Sequence, residues 1–201
     1  MMKLYYSPGA CSLAPHITAH EAGVNITLEK VDLGAKRTES GADYLAINPK
    51  GSVPALQLDN GDVLTENAVL LQYIAAQAPA SGLAPLEGMA RWHFLETLNY
   101  IATEVHKGFG PLWNPALSAD AKAIGLANLT KKFDYLDKIL AGRSYLTGEG
   151  FTVADAYAFT VINWTNVHAI DLGPWPNLQA FMKRVAGRPA VQAALRHEGL
   201  I

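Results

Sequence analysis

Residues 3–16 read Lys3-Leu4-Tyr5-Tyr6-Ser7-Pro8-Gly9-Ala10-Cys11-Ser12-Leu13-Ala14-Pro15-His16. Lys3–Tyr6 is a short β-prone run, and Ser7-Pro8-Gly9 is turn chemistry. Ser12 suits a helix N-cap, and Pro15 fits the first turn of a helix. The chain's one cysteine therefore stands where a strand stops and a helix begins. Unpaired backbone N–H groups there favour an anion, so a thiol at Cys11 is shifted towards its nucleophilic thiolate. Many free cysteines are simply small buried core residues, and on this stretch alone both readings stay open.

Working outward, strand and helix alternate through residues 1–78. A helix follows over Leu13–Gly23, ended by its glycine, then a strand over Ile26–Val31. Tyr44–Ile47 is a short helix. Val53–Leu58 and Val63–Leu64 flank Asp59-Asn60-Gly61-Asp62, where Asn-Gly is a strong hairpin signal. Glu66–Gln77 is a helix with an acid in its first turn. The pattern predicts a βαβ unit, then a hairpin and a closing helix, on one small mixed sheet. Residues 79–87, bearing Pro, Ser and Gly, form a linker. Residues 88–201 read as an all-helical domain: helices over Met89–Lys107, Ala119–Leu140, Val153–His168, Asn177–Ala186 and Ala190–Arg196. Phe94, Leu98, Ile101 and Val105 form a core stripe on the first of these. Thr152-Val153-Ala154-Asp155 has the spacing of a capping box, with a structural role.

Composition bounds the function. The 201 residues are 50% hydrophobic and 17% charged, with a net charge of −2 and no basic block. That describes an ordinary globular chain and gives no support to nucleic-acid binding. A single cysteine excludes an internal disulfide and fits a reducing compartment. No segment has the apolar length of a membrane span, and no leader-like pattern precedes the first strand. A cytoplasmic location is expected. Glycines at 9, 23, 34, 41, 51 and 61 never form a phosphate-cradling pattern, so no nucleotide is expected. His16 and His20 lie one helical turn apart, but without the glutamate of His-Glu-x-x-His or a further ligand cluster in the sequence. No metal is expected.

Several residues carry possible chemistry. Cys11 has no second cysteine three residues on, so an intramolecular dithiol cycle is excluded. Ser12 is placed to cap the helix or donate to a thiolate. Val53-Pro54 opens a strand; trans is the default for such a bond, whereas a cis bond would turn the Val53 backbone towards an extended ligand. Glu66 and Asn67 start a helix, where free N–H groups attract a carboxylate while the Glu66 side chain suits an ammonium. A plain surface helix start explains the same residues. Asn99, Thr103 and His106 recur at spacings of four and three, on a face off the core stripe, with Lys107 beside them. The face is either solvated or a neutral binding wall with one imidazole. Phe109, Pro111, Leu112, Trp113 and Trp164 make an apolar, aromatic-rich set suited to a hydrophobic substrate pocket.

Taken together, Tyr5–Leu13, Asn48–Pro54, Leu64-Thr65-Glu66-Asn67, Leu98–Lys107 and Phe151–Tyr157 resemble the glutathione S-transferases, and among them the bacterial beta class. The resemblance runs over essentially the whole chain. It implies a thioredoxin-like α/β N-terminal domain, an all-α C-terminal domain and a homodimer. It implies that Val53-Pro54 is cis and pairs with the cysteinyl backbone of glutathione. Glu66 and Asn67 would hold the γ-glutamyl end, and Lys36 would approach the glycyl carboxylate. Asn99, Thr103 and His106 would lie near the thiol, and Glu104 would reach the neighbouring subunit's site. Cys11 would lie against the glutathione sulfur, where a mixed disulfide can form. Many members have Ser or Gly where this chain has Asn67, whose amide can still donate.

The implied chemistry is conjugation: the helix N-terminus, Cys11, Ser12 and His106 favour the glutathione thiolate, which attacks a hydrophobic electrophile. About 1–2 kcal/mol at a helix end corresponds to about one pKa unit. The alternatives are a glutaredoxin-like thiol transferase using Cys11 as nucleophile, and a non-catalytic protein binding glutathione or hydrophobic ligands.

Overall fold

A computed structural model describes all 201 residues. It divides into two compact units, Met1–Ala84 with Gly187–Ile201, and Pro85–Ala186.

The first unit holds β1 (Lys3–Tyr6), α1 (Leu13–Ala22), β2 (Thr27–Asp32), β3 (Arg37–Thr38), α2 (Tyr44–Ile47), β4 (Ala55–Gln57), β5 (Val63–Thr65) and α3 (Asn67–Ala76). The sheet order is β3-β2-β1-β4-β5. β1 and β2 are parallel, from Lys3↔Thr27 to Tyr6↔Lys30, and α1 is the crossover that parallel pairing requires. The remaining pairs are antiparallel. Successive strand residues face opposite sides, so Leu4 and Tyr5 enter different cores. Leu4 packs with Ala19, Leu56, Leu70 and Ile74, which fixes α1 and α3 on one face. Tyr5 packs with Val31, Tyr44, Val53 and Ala55 on the other. The expected hairpin is present, with Gly61 at φ 91° between β4 and β5. The two-residue strand β3 was not expected: Arg37-Thr38 is too short to show a period.

The second unit holds α4 (Gly88–Tyr100), a π-helical turn (Ile101–His106), α5 (Gly110–Trp113), α6 (Ala119–Leu140), α7 (Val153–Ile162), a 3-10 turn (Asn163–Thr165) and α8 (Pro176–Ala186). Every residue of α7 is buried, which is why its sequence shows no polar face. Asp155 anchors its start by accepting from the Thr152 N–H and, through its other oxygen, from the Leu146 N–H, both at 2.8 Å. Asp137 of α6 likewise caps α8, accepting from the N–H groups of Asn177 and Leu178.

Two expectations change. The helix expected over Met89–Lys107 gives way after Tyr100 to the π turn, although Phe94, Leu98, Ile101 and Val105 are buried as its stripe predicts. Widening the turn alters the angular advance per residue, so the face expected for Asn99, Thr103 and His106 is not a simple α-helical one. The last helix, α9 (Pro189–His197), groups with the first unit, not with an all-helical domain over 88–201. It buries Val191, Ala194 and Leu195, and the Arg188 guanidinium grips both oxygens of Glu21 on α1.

Candidate active site

In the first unit, the loop from β1 to α1 is fixed from three sides. Gly9, at φ 71°, donates its N–H to Glu198 Oε2 at 2.9 Å. The Ser12 hydroxyl is fully buried, accepts from the Ser7 N–H and donates to the Ser7 carbonyl. It makes no cap hydrogen bond to α1. The expected donation by the Ser12 side chain to a thiolate is therefore replaced by a structural clamp on the loop. Cys11 is half-exposed, and its thiol donates to the Val53 carbonyl at 3.2 Å.

Val53-Pro54 is cis, as the resemblance implies. The loop before it is held by the Tyr44 hydroxyl and the Asn48 amide, which both donate to the Ser52 carbonyl, at 2.8 and 2.7 Å. Lys36 reaches the same loop, donating to the Gly51 carbonyl at 2.7 Å. Glu66 sits at φ 68°, ψ 117°, a conformation that a side-chain-bearing residue rarely adopts. Such strain costs about 1–3 kcal/mol and concentrates at ligand-holding sites. Its exposed carboxylate accepts from Lys50 Nζ at 2.6 Å, and Lys50 also donates to Thr65 Oγ1. The Asn67 amide turns inward and donates to the Cys11 carbonyl at 2.9 Å. Its side chain thus ties α3 to the Cys11 turn. Cys11, Val53 and Asn67 are linked directly in one unit, whereas the side chains of Lys36, Glu66 and Ser12 bond to Gly51, Lys50 and Ser7.

The second unit carries the remaining candidates. Asn99 and Thr103 are exposed, and the Thr103 hydroxyl donates to the Asn99 carbonyl. Glu104 pairs with Lys132 of α6 within the same chain. Lys107 is exposed just beyond the π turn. His106 shares a 2.6 Å hydrogen bond with the Tyr157 hydroxyl and meets Trp164 edge-on at 5.0 Å. Burial, with a smaller contribution from Lys107, pulls its pKa down to about 4. A neutral ring is the result at pH 7, so the cationic help to a thiolate that an imidazolium would give is absent.

Of the five apolar candidates, Phe109 is wholly buried between Phe133 and Trp164 and belongs to the core, not to a pocket lining. Trp164 is 8% exposed and Trp113 48%, and the two rings meet edge-on. Pro111 and Leu112 are half-buried.

The expectation that His16 and His20 lack a further ligand fails. α9 brings His197 to them, and one ligand atom from each lies within 4.8 Å of the others. His16, with Nδ1 2.9 Å from Glu198 Oε1, is the buried member.

The N-terminal domain of the glutathione S-transferases matches residues 9–77, and their C-terminal domain matches residues 100–189. Glutathione S-transferase GstA of Escherichia coli O157:H7 is 49% identical over 200 residues, covering 99% of this chain and 100% of its own. The chain belongs to the glutathione S-transferase family. A sphingomonad glutathione S-transferase solved with glutathione is 48% identical, with a TM-score of 0.95, covering 99% of this chain and 100% of its own. The bacterial beta class enzyme of Sphingomonas chungbukensis is 44% identical at the same TM-score and coverage. This transferase is accordingly an enzyme of the beta class, with a thioredoxin-like first unit and a helical second one. No helix of it is long and apolar enough to cross a membrane.

Four supporting residues of the transferase were not singled out by sequence. Lys50 lies within Asn48–Pro54, but nothing local aims it at Glu66. Tyr157 lies on a buried helix whose pattern shows only burial. Tyr44 opens the short α2 and Asn48 follows it, and their shared target, the Ser52 carbonyl, shows only once the loop folds back.

Proposed function

We propose that the first unit binds glutathione in an extended form, with its sulfur against Cys11 at the start of α1. The observation that carries this reading is the 3.2 Å contact of Cys11 Sγ with the Val53 carbonyl. It puts the helix N-terminus and the backbone that would pair with the tripeptide at one point. Glu66 takes the γ-glutamyl ammonium, its position supported by Lys50, while the start of α3 receives the carboxylate. Lys36, supported on Gly51, takes the glycyl carboxylate. Asn67 acts through its backbone, because its amide already serves the Cys11 carbonyl.

The thiolate is stabilised by the helix end, for which about 1–2 kcal/mol corresponds to about one pKa unit. Ser12 holds the loop that aims it. In the second unit His106 is a neutral hydrogen-bonding ring, oriented by Tyr157, in a polar set with Asn99, Thr103 and Lys107, while Glu104 serves the neighbouring subunit's site. Trp113 and Trp164 give the hydrophobic electrophile an aromatic wall, with Pro111 and Leu112 beside it. The enzyme works as a cytoplasmic homodimer; exposed Val69, Met89 and Trp92 supply apolar surface for association.

Cys11 is half-exposed, which favours a second activity, exchange with disulfides of small thiols. The experiment is the initial rate of glutathione conjugation to 1-chloro-2,4-dinitrobenzene, background subtracted, for the native enzyme and Cys11→Ala. A saturable rate that survives in Cys11→Ala, with exchange on a glutathione mixed disulfide lost, is the expected result. No rate above background in the native enzyme would overturn the conjugation reading.

A further inference from the structure

Three imidazoles meet on the first unit. His16 and His20 project from α1 one turn apart, and His197 comes from the end of α9. Their ring centroids are 5.1, 5.1 and 5.7 Å apart. The rings border an open cavity of about 360 Å³, with Gly23, Val24 and Asn25 on its rim. His16 is buried, whereas His20 is half-buried and His197 exposed, so the group has one fixed and two adjustable members.

Glu198 gives the cluster a further feature of a metal centre. It is itself buried, and its Oε1 accepts from His16 Nδ1. A carboxylate on one ring nitrogen fixes the tautomer and leaves Nε2 as the ligating atom, the arrangement that commonly backs metal-bound histidines. The other oxygen is committed to the Gly9 N–H. Both Glu198 oxygens are thus engaged in holding Gly9 and His16, and the three imidazoles are the donor set.

We propose that His16, His20 and His197 bind a divalent cation of the Zn2+ type, with His16 oriented by Glu198 and a fourth position open to water. Imidazole suits Zn2+ among the borderline metals, and three histidines with one open position is an established tetrahedral donor set. Zn–N bonds of about 2.0–2.1 Å at tetrahedral angles place the nitrogens about 3.4 Å apart. The present separations, all within 4.8 Å, close to that value by side-chain rotation of His20 and His197, while His16 stays fixed. The site does not rest on the transferase reading, because none of its ligands takes part in the chemistry assigned to Cys11.

The test uses full-length protein without a polyhistidine tag, stripped with EDTA and dialysed. Co2+ is titrated in, followed by its visible absorption, and then displaced with Zn2+. The expected result is one equivalent per chain with tetrahedral-type bands and no thiolate charge-transfer band. His20→Ala and His197→Ala each weaken binding by about tenfold or more, an effect at least as large as loss of an outer-shell partner. His93→Ala, at an exposed histidine elsewhere, and Cys11→Ala leave binding unchanged. Far-UV circular dichroism confirms that the His20 and His197 variants are folded; both positions are accessible enough for this to hold. Absence of saturable one-equivalent binding, binding that survives both variants, or binding lost with Cys11→Ala would each overturn the proposal.

Discussion

His106 provides a quantitative test of the electrostatics of the helical unit. Burial lowers its pKa from 6.5 to about 4. A histidine whose folded pKa is depressed binds fewer protons folded than unfolded throughout the window between those values. Stability is therefore fully present above pH 6.5 and is lost as pH falls towards 4. A shift of about 2.5 units at 1.36 kcal/mol each amounts to about 3 kcal/mol. The steepest loss approaches about 1.4 kcal/mol per pH unit. All four tryptophans, Trp92, Trp113, Trp164 and Trp175, belong to the unit Pro85–Ala186. Their fluorescence during urea unfolding thus reports the unit that contains His106. Unfolding from pH 4.5 to 7.5 should show a His106 component of stability that is lost on the acid side, opposed in the same unit by Asp155, whose carboxyl burial raises to about 6. His106→Gln should lack that component, so the gap between the two proteins changes with pH by about 3 kcal/mol at most. Nuclear magnetic resonance of the ring protons should show no His106 titration above about pH 5. A His106 titration centred near 6.5, or parallel pH profiles for the two proteins, would refute the neutral-imidazole account and restore a cationic role.

Two further outcomes follow from packing. Asp155→Ala leaves the buried N–H groups of Leu146 and Thr152 without acceptors; at about 1–3 kcal/mol each, less the relief of a buried carboxylate, a net loss of about 2–4 kcal/mol is expected in urea unfolding at pH 7. Asp155→Asn should rescue little of it, since both oxygens accept and only one would remain; a loss below about 1 kcal/mol in either variant would contradict this. Gly125→Ala on α6 sets a Cβ 2.7 Å from the Pro111 side chain, and overpacking of about 1–3 kcal/mol exceeds the helix-propensity gain of about 1 kcal/mol. The same unfolding measurement should show Gly125→Ala destabilised, and a stabilised variant would show that α5 yields freely.

The comparison between sequence and structure divides along the range of the forces involved. The strand–turn–helix at residues 3–16, the Asn60-Gly61 hairpin, the Phe94–Val105 stripe and the start of α7 at Thr152 are legible because neighbouring residues set them. Turn chemistry and hydrophobic period need no distant partner. The resemblance to the glutathione S-transferases rests on motifs of the same local kind. Tertiary structure alone decides that the Ser12 hydroxyl serves Ser7 and not a thiolate, that Phe109 is core, and that Tyr157 receives His106. It also decides that α9 docks on α1, delivering Glu198 to Gly9 and His16, and His197 to His20. A cap, a period or a turn is written in consecutive residues, whereas these contacts depend on which apolar surfaces bury one another. That choice is made only when the whole unit packs.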